Sequence, residues 1–102
     1  MTIDGQIWAF REENWKKAYE EFCCFDFRYE HSFDDFLRFI HQFSVLRENA
    51  AIALGRLYFK EQLGVYEGTI TSTNGESAKI QYLLMKERGK WRICSIQVLN
   101  TT

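Results

Sequence analysis

Residues 65–99 read VYEGTITSTNGESAKIQYLLMKERGKWRICSIQVL, and the reading of this stretch decides the fold. Val65 to Thr73 is rich in Val, Ile and Thr, side chains that suit a pleated surface. Asn74-Gly75 follows, the strongest short signal for a hairpin turn. Ser77 to Glu87 and Lys90 to Leu99 are two more strand-like runs, separated by Arg88-Gly89, where Gly89 supplies the positive φ of a tight turn. Upstream, Ala50 to Glu61 mixes small and β-branched residues and reads as the first strand. The C-terminal half is therefore a four-strand antiparallel meander.

The N-terminal half has a different period. Ile3, Ile7, Phe10, Trp15, Ala18, Tyr19 and Phe22 recur at three- and four-residue steps, a helix with a break near Asn14. Cys24 to His31 lacks clean periodicity and reads as a short helix or turn. Ser32-Phe33-Asp34-Asp35 then has the form of a capping box with Asp in place of Glu, and Phe33, Phe36, Leu37, Ile40 and Phe43 continue a helix to about Val45. Helices at about 3–46 and strands at about 50–99, without linker, repeat or low-complexity segment, predict a single α+β domain over 1–102, its helices packed on the sheet.

Composition agrees with one folded unit. In 102 residues, 46% are hydrophobic and 26% charged, which excludes disordered and fibrous classes. The formal net charge of -1 gives no general pull toward nucleic acid or anionic membrane, so neither is expected as a partner. Twelve of the 17 aromatic residues lie in residues 1–49, which hold 6 basic and 10 acidic groups; residues 50–102 hold 7 basic and 4 acidic. The start of the sequence has no basic, apolar leader pattern, and no apolar run reaches the ~18 residues of a membrane span. A cytoplasmic location is the expectation. Cys23, Cys24 and Cys94 form no CxxC pair and no zinc-type spacing and are expected to be reduced; a bond between neighbours Cys23 and Cys24 would be a rare small ring.

Turn length fixes which side chains share a face. With two-residue loops, position 73 opposes 76 and 87 opposes 90, so Glu67, Tyr82 and Ser95 fall in one row, with Thr69, Ile80 and Gln97 beside it. Val65, Ala78, Leu84, Trp91, Ile93 and Leu99 share that face. Tyr66, Ile70, Lys79, Gln81, Leu83, Met85, Cys94, Ile96 and Val98 take the other. Both faces are substantially apolar, which implies that a second surface is buried, most simply against another subunit. A three-residue loop would dissolve the row.

Ala18-Tyr19 near the end of the first helix, Ser32 ahead of the Phe-rich helix, the two hairpins, and Gly89-Lys90-Trp91-Arg92-Ile93 in the last strand resemble the nuclear transport factor 2-like superfamily, and in particular small bacterial members that close with a Gly-x-Trp-Arg-Ile strand. The resemblance implies a cone: helices packed into a strongly curved antiparallel sheet, a pocket between them, and often dimers through the outer sheet face. That superfamily includes ketosteroid isomerase, scytalone dehydratase and limonene epoxide hydrolase beside many non-catalytic modules. None of the enzymes' catalytic sets aligns residue by residue with this chain.

Glu67 with Tyr82 is the leading pair. A carboxylate in an apolar cone has a raised pKa and can move a proton while a phenol polarises a carbonyl; the ordinary alternative is a rim carboxylate and a core tyrosine. Glu67, Tyr82, Ser95 and Gln97 are the candidate ligand-binding residues. Neither His31 nor His41, ten residues apart, sits at a metal-binding spacing with Cys23, Cys24 or Asp34, and no metal or cofactor is expected. Asp26 with Arg28 reads as a surface pair. Lys86, Arg88, Lys90 and Arg92 surround the second hairpin, either as a solvated tip or as a site for an anion or acidic protein. The function expected is a non-catalytic module that binds a small apolar ligand or a protein partner as a homodimer. The alternatives are a proton-transfer enzyme of isomerase or dehydratase type with Glu67 as base and Tyr82 as donor, and an assembly protein whose cone is filled by its own side chains.

Overall fold

A computed structural model describes residues 2–101. α1 (Thr2–Arg11) and α2 (Trp15–Glu20) are the two halves of the first predicted helix. The break falls where expected: Glu13 has φ 57°, and the Asn14 side chain accepts from the Lys17 N–H at 3.3 Å, capping α2. The connector forms α3 (Phe25–Glu30), with the Cys24 sulfur accepting from the Phe27 N–H at 3.4 Å. Ser32 caps α4 (Phe33–Gln42) by accepting from the Asp35 N–H at 3.2 Å. This helix ends sooner than its spacing suggests, and a short α5 (Ser44–Arg47) turns the chain toward the sheet.

β1 (Asn49–Lys60), β2 (Leu63–Ser72), β3 (Ser77–Glu87) and β4 (Lys90–Thr101) form one antiparallel sheet in the order β1-β2-β3-β4. The fold is α+β, the helices packed on one face of a meander. Segment 22–24 runs parallel beside β4: the Ile93 N–H donates to the Phe22 carbonyl at 2.7 Å and the Cys24 N–H to the Ile93 carbonyl at 2.8 Å. This short addition covers part of an otherwise bare sheet edge.

The β2–β3 register differs from expectation by one residue. The Ser72 N–H donates to the Glu76 carbonyl at 2.8 Å, so the loop holds three residues, Thr73, Asn74 and Gly75. Gly75 takes φ 90°, and the Asn74 side chain accepts from the Glu76 N–H at 3.1 Å and from the Ser72 hydroxyl. Tyr66 therefore opposes Tyr82, and Glu67 opposes Gln81. The β3–β4 turn does hold two residues, with Arg88 at φ 51° and Gly89 at φ 79°, the mirror-image turn that suits the twist of a hairpin. A bulge then intervenes: Leu84 opposes Ile93 but Leu83 opposes Ser95, leaving Cys94 unpaired and setting Tyr82 against Ile96. Bulges at Gly55 and Cys94 fall in the two edge strands, where an extra residue bends the strand and increases its twist.

These registers sort the faces. Tyr66, Ile70, Ala78, Ile80, Tyr82, Leu84, Ile93 and Ile96 are buried under the helices, packed on Ile3, Ile7, Phe10, Phe36, Ile40 and Leu46. Asn49, buried at the start of β1, ties helix to sheet: it donates to the Leu46 carbonyl at 2.9 Å and accepts from the Arg11 guanidinium. The other face carries a polar row, Arg56, Glu67, Gln81 and Gln97, beside an apolar row of Tyr58, Val65 and Leu83. The two evenly apolar faces expected from sequence were a product of the shifted register.

The cysteines also differ from expectation. Cys24 and Cys94, 70 positions apart, are joined in a disulfide with Cα atoms 5.2 Å apart, while Cys23 is free and buried. The strand-like bridge of Cys23 to Ile93 brings the two sulfurs together, a contact that no local spacing encodes.

Candidate functional site

The expected site does not assemble. Tyr82 is fully buried in the core, its ring edge-on to Tyr66 at 6.0 Å between centroids, and its hydroxyl has no hydrogen-bond partner among the described residues. Burial pushes the Tyr82 phenol far above its ordinary pKa. Glu67 lies half-buried on the opposite face of the sheet, between Arg56 and Gln81, and Gln97 is exposed beyond Gln81 in the same row. A carboxylate and a phenol separated by the sheet cannot act on one substrate, so the acid-base pair read from the sequence is withdrawn. The space between helices and sheet that was to receive a ligand is occupied by Tyr82, Phe10 and Phe36.

Of the four candidates, Ser95 is in the lining of a cleft between the helices and β4. This cleft of about 220 Å³ opens between α3, α4 and the bulged part of β4, lined by Phe27, His31, Asp35, Phe36, Phe39, Cys94, Ser95 and Ile96. Helical spacing sets Asp35, Phe36 and Phe39 on one side of α4. Across the edge of the sheet, the bulged part of β4 contributes Cys94, Ser95 and Ile96 to the lining. Tyr19 fixes the third wall: its hydroxyl reaches the carbonyls of Arg28, at 3.1 Å, and of His31, and its ring packs on Phe33 and Phe36 at 5.6 and 5.4 Å. Burial raises the Tyr19 pKa, keeping it a hydrogen-bond donor. The His31 ring lies 4.8 Å from the ring of Phe27.

The cleft has apolar walls and a polar rim. Phe27, Phe36, Phe39 and Ile96 form the apolar part of the lining, and His31, Asp35 and Ser95 its polar part. Asp35 is no general base: the Arg38 guanidinium beside it, with the Ser32 hydroxyl and N–H, holds its carboxyl below the usual range. A cavity of about 220 Å³ lies between the ~150 Å³ that takes a single benzene ring and the ~300 Å³ where drug-sized pockets begin. It suits one ring with a short substituent. Among the described residues, no group of three or more His, Cys, Asp or Glu is placed to hold a metal ion.

A family model for a domain of unknown function, DUF4864, matches residues 1–102. The chain belongs to the DUF4864 family. No curated protein matches it. In this DUF4864 domain the cleft lining includes Ser95 together with an aromatic wall that the sequence does not single out: Phe27 lies in the connector without clean periodicity, Phe36 in the apolar stripe of α4, and Phe39 outside that stripe. From sequence, His31 reads as a poor metal ligand and Asp35 as part of a helix cap. His41, the other histidine, lies exposed on α4 with its ring 5.7 Å from Trp15 and outside the cleft. No helix among the described residues is long and apolar enough to cross a membrane.

Proposed function

We propose that this domain is a non-catalytic binding module that takes a small apolar ligand in the α3–α4–β4 cleft and pairs with a second copy through the outer face of its sheet. The lining of the cleft carries the first part: three phenylalanines and an isoleucine beside one histidine, one carboxylate and one hydroxyl. The pattern is that of a site that buries a ring and fixes its orientation with few polar contacts. Helices laid on a bent meander also support the kinship with the nuclear transport factor 2-like superfamily, whose non-catalytic members bind or assemble.

Pairing rests on the outer face. Tyr58, Leu63, Leu83 and Leu99 are between 40% and 53% exposed there, more than the large apolar side chains of an isolated domain need be. The polar row of Arg56, Glu67, Gln81 and Gln97 beside them supplies the rim of such an interface. Compartment is tied to the Cys24–Cys94 bond, because disulfides persist in oxidising compartments and are rare in the reducing cytosol. Alkylation of thiols at the moment of cell lysis distinguishes the cytoplasmic location expected from the sequence from an oxidising one.

Native mass spectrometry of gently purified protein tests both parts. The expected spectrum is a dimer that retains a small molecule, or accepts added indole, and binds it more weakly in Phe39→Ala, which removes part of the aromatic wall. A monomer contradicts the pairing, and indole binding unaffected by Phe39→Ala contradicts the site.

A further inference from the structure

A second cleft lies on the other side of the disulfide, between the start of α3 and the β3–β4 hairpin, with about 530 Å³ of space. Its walls bring together four cations that are scattered in the sequence: Arg28 from α3, Arg88 from the hairpin turn, and Lys90 and Arg92 from β4. Lys86, the remaining basic residue of that hairpin, is not in the lining. Among the described residues, none of the four forms an ion pair; the two ion pairs there are Lys16–Glu20 and Arg38–Asp35. Arg92 donates to the Glu21 carbonyl, and Arg28 Nε is buried without a hydrogen-bond partner.

Three carboxylates, Glu20, Asp26 and Glu87, share the lining, so its four cations exceed its anions by one. Glu20 pairs with Lys16 at 3.8 Å, and Glu87 accepts from the Phe25 N–H at 2.9 Å. Arginine forks match the oxygens of phosphate and carboxylate two at a time. At the mouth, Phe25 is 60% exposed and stacks on Tyr29, with ring centroids 6.2 Å apart and planes 24° apart. An exposed stacked pair beside a cationic cleft offers a flat surface to an aromatic group attached to the anion.

We propose that this cleft binds the oxyanion of a small aromatic molecule, a phosphate monoester or a carboxylate, with Arg28, Arg88, Lys90 and Arg92 around the anion and Phe25 against the ring. The site is separate from the apolar cleft and does not depend on the function proposed for it. The test is a titration of the whole protein with inorganic phosphate, phenyl phosphate and benzoate at constant ionic strength, followed through the amide resonances of Phe25 and Gly89. Phenyl phosphate or benzoate shifts these resonances and saturates, more tightly than inorganic phosphate does; which of the two aromatic anions binds identifies the anion source. In Arg88→Asn with Lys90→Gln the affinity falls about fivefold to tenfold; asparagine keeps the positive φ of the turn, so the hairpin survives. Removing two exposed charges outside the lining instead, Lys17→Gln with Lys60→Gln, leaves it unchanged. Absence of saturable shifts with all three anions overturns the proposal, as does an equal loss in both double variants, which marks a general effect of net charge.

Discussion

The two tight hairpins that flank β3 carry similar signals, Asn74-Gly75 and Arg88-Gly89, and fold differently. In the second, both loop residues take positive φ and the strands meet directly across them. In the first, the Asn74 side chain is drawn back onto Ser72 and Glu76, Thr73 joins the loop, and only Gly75 takes positive φ. One added loop residue moves Glu67 to the opposite face from Tyr82. A glycine marks where a hairpin turns, but the side-chain hydrogen bonds around it decide how many residues the turn contains.

The largest test of that difference sets Tyr82 against Glu67. Tyr82→Ala empties a buried site and is expected to cost about 3–5 kcal/mol, while Glu67→Ala on the outer face stays within about 0.5 kcal/mol; denaturant unfolding measures both. Equal costs would return the two residues to one environment. Next, β4 beyond the second hairpin is pinned by the Cys24–Cys94 bond, which closes a loop across 70 positions. Replacing both cysteines by serine should lower stability by about 2–4 kcal/mol, read from the same unfolding curves, and Cys23→Ser in parallel shows how much of that is burial rather than the link.

Two smaller tests compare the turns and the core. An added Cβ meets nothing within 4 Å at Gly75 or Gly89, so each Gly→Ala change should cost only the backbone penalty of positive φ, about 1–2 kcal/mol. Burial pushes the Cys23 thiol up to about 12. Its folded state therefore holds the proton more tightly than the unfolded chain, and the resulting stability, complete below the ordinary thiol value, is lost as pH rises toward 12. Between about pH 9 and pH 10 unfolding free energy should fall by about 1 kcal/mol per pH unit, and Cys23→Ala should remove that part of the slope, leaving the loss above about pH 10 that the raised tyrosines contribute. Smallest of all, Tyr82→Phe removes a buried hydroxyl that has no partner among the described residues and should change stability by less than about 1 kcal/mol, in the stabilising direction.

Much of the architecture was legible. Periodicity gave the helix break at Asn14, the Ser32 cap, the four strands and their order, because each is a local preference repeated along the chain. The face assignment was also present, in a signal that turn chemistry overrode. The apolar residues Tyr66 and Ile70 in β2 and Ala78, Ile80, Tyr82 and Leu84 in β3 all fall at even positions, and only a register pairing even with even puts them together. The bulge at Cys94 and its bond to Cys24 were not legible, since both depend on segment 22–24 lying beside β4. The cleft followed those two features out of sight: of its aromatic wall only Phe36 belongs to the α4 stripe, Phe27 lies in the aperiodic connector, and the other side is the bulged edge of β4.

The separation of Glu67 from Tyr82 is tested most directly by cross-strand nuclear Overhauser effects in the folded protein. A contact between the α-protons of Glu67 and Gln81 is the result this register predicts. A contact between the α-protons of Glu67 and Tyr82 would contradict it, restore the carboxylate and the phenol to one row, and reopen the reading of an enzyme.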